Sequence, residues 1–148
     1  MCFQLYAATV NALPRRKWLA DSSDLPVESL SEREAPIKLH FSNPEIQHIG
    51  STSGCSCDFP NLTYQGGDWP SVQEEVLDEE QAASDSVNRE GLVNVLRASG
   101  DRIVELYGIW DGDFEKAPAA GEEIYQETKL KPEFRFKKQG FYRVLLES

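Results

Sequence analysis

A chain of 148 residues, 40% hydrophobic and 10% aromatic, is long enough to bury a core without disulfides or metal and too apolar to be disordered. Its 25 acidic and 15 basic side chains leave a net charge of −10, which argues against nucleic acid as a partner and suits solubility or a basic protein partner. No run approaches the length of a membrane span, the N-terminus carries no basic leader, and three cysteines, an odd number, fit a reducing, cytoplasmic location better than secretion.

Residues 3–10 read as a first strand, with Phe3, Leu5, Ala7 and Thr9 on one face, ended by Pro14. The basic cluster Arg15-Arg16-Lys17 then opens a polar loop, and Lys137-Lys138 reads as a second solvated turn. Leu25 to Leu30 fits a short strand facing Leu25, Val27 and Ser29 one way. Ser31 and Glu34 stand as in a capping box, but Pro36 makes any helix reaching Phe41 short or distorted. After the turn Ser42-Asn43-Pro44, residues 45–49 are extended, with Ile46 and His48 on one face and Gln47 and Ile49 on the other.

Glycine and proline make residues 50–70 mostly loop, and residues 71–81 have acidic, helical composition. The clearest helix runs from Asp85 or Ser86 to Ala98, with Val87, Leu92, Val95 and Leu96 on its packed side and Gly100 placed to stop it. Arg102 to Trp110 is the best strand, turned by Asp111-Gly112-Asp113. Glu123 to Thr128 is extended, and Phe134–Phe136 with Phe141–Leu146 reads as a terminal hairpin with Gly140 left-handed. These elements predict one domain over residues 1–148. The fold class is α+β, a mainly antiparallel sheet of five or six strands with one or two helices packed on one face.

Chemistry concentrates in His48-Ile-Gly-Ser-Thr-Ser-Gly-Cys55-Ser-Cys57. Thiolates and imidazoles bind soft metals or carry redox and nucleophilic chemistry, and glycines let the backbone turn around them. A zinc site needs about four donors; Cys2, Cys55, Cys57 and either His48 or His40 supply that number, although the usual two-residue spacer between cysteines is absent. A second reading is reversible oxidation, because a disulfide across one residue closes a strained, easily reduced ring. The bland alternative makes both cysteines small packing residues and His48 a hydrogen-bonded strand residue. Cys2, once Met1 is removed, is also an N-terminal nucleophile candidate, or simply a buried strand residue.

Weaker constellations carry less. Asp111, Asp113 and Glu115 lack the calcium-loop pattern and read as a solvated turn. The six acids between Glu74 and Asp85 are a wet helix face or a docking surface for a basic partner. No nucleophile elbow or phosphate loop is present.

Met1-Cys-Phe-Gln-Leu-Tyr-Ala-Ala-Thr9, the centre from His40-Phe-Ser-Asn-Pro44 through Gly54-Cys-Ser-Cys-Asp-Phe59, and Val104-Glu-Leu-Tyr107 together resemble a family of small uncharacterised bacterial proteins. In that family a Gly-Cys-x-Cys segment follows a strand ending in Gly-Ser. The resemblance implies a bacterial, cytoplasmic, stand-alone domain and assigns no catalytic residue. The residues therefore favour a small acidic cytoplasmic protein with a thiol-centred metal or redox site at Cys55 and Cys57, assisted by His48 and Cys2. An acidic interaction module of immunity or antitoxin type is the alternative. Whether the protein is an enzyme is left open.

Overall fold

Alternating apolar residues in Phe3–Thr9 (β1) and Ile103–Trp110 (β4) build the centre of a sheet, because each strand can then bury one set of side chains on each face. In the computed structural model these two strands lie side by side and antiparallel, with Tyr6 opposite Tyr107. The structure describes residues 3–19, 25–52, 54, 56, 59, 79–116, 123–126 and 140–146. Within them Val27–Ser29 (β2), Glu45–Ile49 (β3), Glu123–Gln126 (β5) and Gly140–Leu145 (β6) complete a six-stranded sheet of order β2-β3-β1-β4-β6-β5. Every neighbouring pair is antiparallel except β5 and β6, which run parallel.

One face carries Phe3, Leu5 and Ala7 of β1 with Val104 and Leu106 of β4, and against it packs the helix Glu79–Arg97 (α1) through Leu92, Val95 and Leu96. The other face presents Tyr6, Tyr107, Ile109 and Phe141, covered by Phe114 and by Ile37 of a 3-10 helix, Glu32–His40. The α+β class is therefore as the sequence indicated. Covering the second face is what buries Tyr6 and Ala8 as completely as Leu5 and Ala7. The 3-10 geometry follows from Pro36, which removes a backbone donor from the middle of the segment. Among the described residues no helix is long and apolar enough to cross a membrane.

Four expectations are corrected. Helix α1 begins at Glu79, not near Asp85, so the last acids of the 74–85 run lie on its first turns; residues 74–78 lie outside the described residues. Val87 is 42% exposed, because only the Leu92, Val95 and Leu96 side of α1 meets the sheet core. Gly140 is the first residue of β6, paired with Gly108, and is not among the glycines with positive φ. The partners of β6 are β4 and β5: Val144 meets Val104 and Tyr142 meets Leu106, a long-range match of apolar positions. Phe134–Phe136, the expected hairpin partner, lies outside the described residues. Finally, Arg16 is not loop, since its N–H and C=O both bond Val27 and give β2 an outer partner.

Candidate functional site

The end of β3 and the loop that follows it form the region the sequence singled out. Gly50 passes so close to Pro26 and Gly54 that a Cβ there would come within 2.6 Å of each, and its N–H bonds the Pro26 carbonyl at 2.9 Å. The turn is fixed by Gly54 N–H to Ser51 C=O at 2.9 Å. Gly54 holds φ +101° beneath the Trp18 ring, and Trp18 Nε1–H donates to Thr52 C=O at 2.8 Å. From the other side, buried Asn88 of α1 accepts the Thr52 N–H through Oδ1 at 2.8 Å. Phe59 then enters the core against α1. A glycine-rich segment that reads as irregular is thus held at both ends by secondary structure.

Ser56 sits at the middle of this arrangement, wholly buried. Its hydroxyl accepts the Leu5 N–H at 3.0 Å and donates to the Ile49 C=O at 2.6 Å, joining β1 to β3 at the last pair of their ladder. His48 Nε2 lies 3.2 Å from the same oxygen and also meets Gln4 Oε1. The imidazole packs edge-on to Tyr6, with centroids 5.4 Å apart. Burial lowers its pKa below the ordinary histidine value, although Glu34, Glu28 and Asp111 pull the other way; the ring is neutral at pH 7.

A second polar group adjoins it. Tyr6 Oη donates to Glu34 Oε2 at 2.6 Å, while Glu34 Oε1 takes the Ser31 N–H at 3.0 Å and its hydroxyl at 2.9 Å. Burial pushes the Glu34 carboxyl up, but the hydrogen bonds from Tyr6 and Ser31 outweigh it and hold the group below its usual range. Burial first, then the bond to Glu34, pushes the Tyr6 phenol well up. The capping-box acid of the sequence therefore also engages a tyrosine in the sheet.

No family model, curated protein or solved structure matches this chain. Cys2, Cys55 and Cys57 lie outside the described residues. His48 is placed at the strand end as the alternation indicated. His40, the other histidine donor, is engaged elsewhere: its Nε2 meets the Phe114 C=O at 3.0 Å and its ring packs on Tyr107. Among the described residues no group of three or more His, Cys, Asp and Glu is placed to hold a metal. Asp111 is taken up by the Arg33 fork at 3.0 and 3.2 Å and Asp113 by Lys116 at 3.4 Å, at the turn that follows β4.

The residues that sequence reasoning missed are Ser56 and Gln4, which among the described residues are the side chains that hydrogen-bond His48 Nε2. A serine between two cysteines draws no notice beside them, and a glutamine in an apolar strand reads as an outward-facing position. The one signal for Gln4 was its spacing of two from Tyr6, which places both on the His48 face.

A Ser–His contact invites a nucleophile–base reading, and the geometry rejects it. The single Ser56 hydroxyl hydrogen goes to the Ile49 carbonyl, not to the imidazole, and the oxygen is fully buried. On the opposite face of the sheet a cleft of about 380 Å³ opens between α1 and β2, lined by Leu25, Val27, Val87, Glu90, Gly91 and Asn94 among others.

Proposed function

We propose that this is a small acidic protein of the bacterial cytoplasm whose thiol-centred site, Cys55 and Cys57 with His48 and Cys2, binds a soft divalent metal such as zinc. One observation carries the reading. His48 Nε2 is the meeting point of Gln4 and Ser56; Ser56 stands between Cys55 and Cys57 in the sequence, and Gln4 stands two residues after Cys2. All three cysteines are thus tethered within two residues of side chains that touch one neutral imidazole. Three thiolates and one imidazole are a donor set suited to tetrahedral zinc.

The test is native against denaturing mass spectrometry on untagged protein purified without chelator or reductant. A zinc-sized mass increment that disappears in the Cys55→Ser/Cys57→Ser double variant, with the fold kept, supports the reading. A two-dalton deficit between Cys55 and Cys57 in the denatured protein replaces it with reversible thiol oxidation. A bare, reduced mass overturns both and leaves the cysteines as packing residues. The interaction-module reading then takes precedence. It draws on the first turns of α1, where Ala83, Ser86 and Val87 are all exposed beside the acidic run. Charge reversal there abolishes capture of a basic partner if that reading holds.

A further inference from the structure

We propose that a second copy of this chain closes the cleft between α1 and β2, about a two-fold axis that runs along α1. Neither the cysteines nor His48 enter this interface. One wall of the cleft is α1, where Val87, Glu90, Gly91, Asn94 and Val95 recur at helical spacing, and the other holds Pro14 and Arg16. Two tethers set the walls in register. Asn11 Nδ2 donates to Asp101 Oδ1, just past the end of α1, at 2.8 Å, whereas Trp18 is tied through Thr52 to Asn88. Residues 11–18 therefore run back along α1, which places Arg16 beside the turn that carries Glu90 and Asn94. The bridge from Arg16 to Val27, a core residue of the α1 face, sends the Arg16 side chain to that face as well.

Charge names the occupant. One wall carries Arg15, Arg16 and Lys17, all exposed, and the other carries exposed Glu90. A uniformly basic partner would be repelled by the first wall and a uniformly acidic one by the second. A groove with opposite signs on its two sides is complementary to itself. An axis along the groove carries Glu90 of each copy toward Arg16 of the other, while an axis across it would set like charges together. Apolar contacts favour the same arrangement. Of the six large hydrophobic side chains exposed among the described residues, three stand here: Val87 lines the cleft, Trp18 lies beside Asn88, and Leu19 follows it. About that axis, Val87 of each copy enters the other's cleft over an aliphatic floor of Leu25, Val27 and Val95. The net charge of −10 opposes indiscriminate self-association, so a matched surface decides whether two copies meet.

The test is sedimentation equilibrium on the full chain over a wide range of concentration, with reductant and chelator present so that neither a disulfide nor a metal joins the copies. The natural protein should pass from the 16.7 kDa chain to twice that mass. Arg16→Glu and Glu90→Arg should each raise the dimer dissociation constant about a hundredfold or more, because like charges then meet on both sides of the axis. Both positions are exposed and the backbone bonds of Arg16 to Val27 remain, so circular dichroism should show both variants folded. Mixed together, the two variants should form a heterodimer that neither forms with itself, since each exchanged charge then meets its opposite. Val87→Lys, which sends a charge into the partner's cleft, should also weaken the dimer. A monomer at every concentration overturns the proposal and leaves the cleft to a different molecule. So does a dimer that both charge variants keep, or a mixture of the folded variants that stays monomeric.

Discussion

Glu105 is the residue whose chemistry departs furthest from its surroundings. It sits in the apolar run of β4, only 2% exposed, and its carboxylate takes the Ser42 N–H at 3.1 Å, the Ser42 hydroxyl at 2.9 Å and the Asn43 N–H at 2.7 Å. Asn43 in turn donates through Nδ2 to the Ala8 carbonyl at 3.1 Å. A buried charge with this many donors holds the Ser42-Asn43-Pro44 turn onto the sheet, and with it the start of β3 that leads to His48. Removing the acid leaves two backbone N–H groups without an acceptor. Glu105→Ala should therefore cost about 3 kcal/mol of unfolding free energy in urea titration, with the slope unchanged. A loss under about 0.5 kcal/mol, the range of an ordinary surface change, would contradict this account. The clue in the sequence was an acid among Ile, Val, Leu and Tyr, but nothing local told which turn it serves, because its partners stand some sixty residues earlier.

At the scale of elements, Gly91 decides how α1 lies on the sheet. Glycine in a helix interior costs about 1 kcal/mol relative to alanine, so the position needs a reason, and Leu25 supplies it. A Cβ at residue 91 would come within 2.9 Å of Leu25 Cγ, a fully buried side chain. Overpacking of this kind costs about 1–3 kcal/mol, which outweighs the gain in helix propensity. Gly91→Ala should destabilise by about 1 kcal/mol in the natural background and stabilise by about 1 kcal/mol when Leu25→Ala has already cleared the space. The same sign in both backgrounds, from denaturant melts of the four proteins, refutes the steric explanation. The elements themselves were legible where a local rule acts: alternation in β1, β3 and β4, the capping acid and Pro36 of the 3-10 helix, and Gly100 at the end of α1, which adopts φ +75°. What escaped was pairing. Nothing in β6 announces that its neighbours are β4 and β5, since that choice rests on contacts between distant segments. The site was half legible for the same reason: His48 stood out by type, while Ser56 and Gln4 matter only because β1 and β3 are adjacent.

Taken as a whole, the molecule divides its two sheet faces unequally, and this governs its response to acid. The α1 side buries Thr9, Gln47, Asn88 and Arg89 among its apolar side chains, none of which titrates in acid, whereas the 3-10 face buries Tyr6 and Glu105 and half-buries His48 and Glu34. His48 is faced by Gln4 and Tyr6 of β1, Glu28 of β2, Glu34 of the 3-10 helix, Asp111 after β4 and Ser56 of the loop. Burial outweighs the three acids, so the folded pKa lies below the ordinary 6.5. The unfolded chain then binds a proton at a higher pH than the folded one, and stability declines as pH falls below about 6.5 until the folded ring also protonates. Glu34, held below its ordinary 4.5, acts in the same direction at lower pH: its stabilisation is present above that value and lost as pH falls through the folded pKa. The net charge of −10 complicates a single profile, because acid also relieves self-repulsion on the way to the pI near 4.6. Comparison with His48→Gln removes that shared background, since glutamine keeps a donor near Gln4 and Ser56 but cannot titrate. In chelator-treated protein, the difference in unfolding free energy between the two should be flat above pH 7. It should shift against the natural protein below about pH 6.5, and the two should then fall together as Glu34 protonates. Parallel profiles throughout would mean that His48 is solvated in the folded state and that its partial burial contributes nothing to the response to acid.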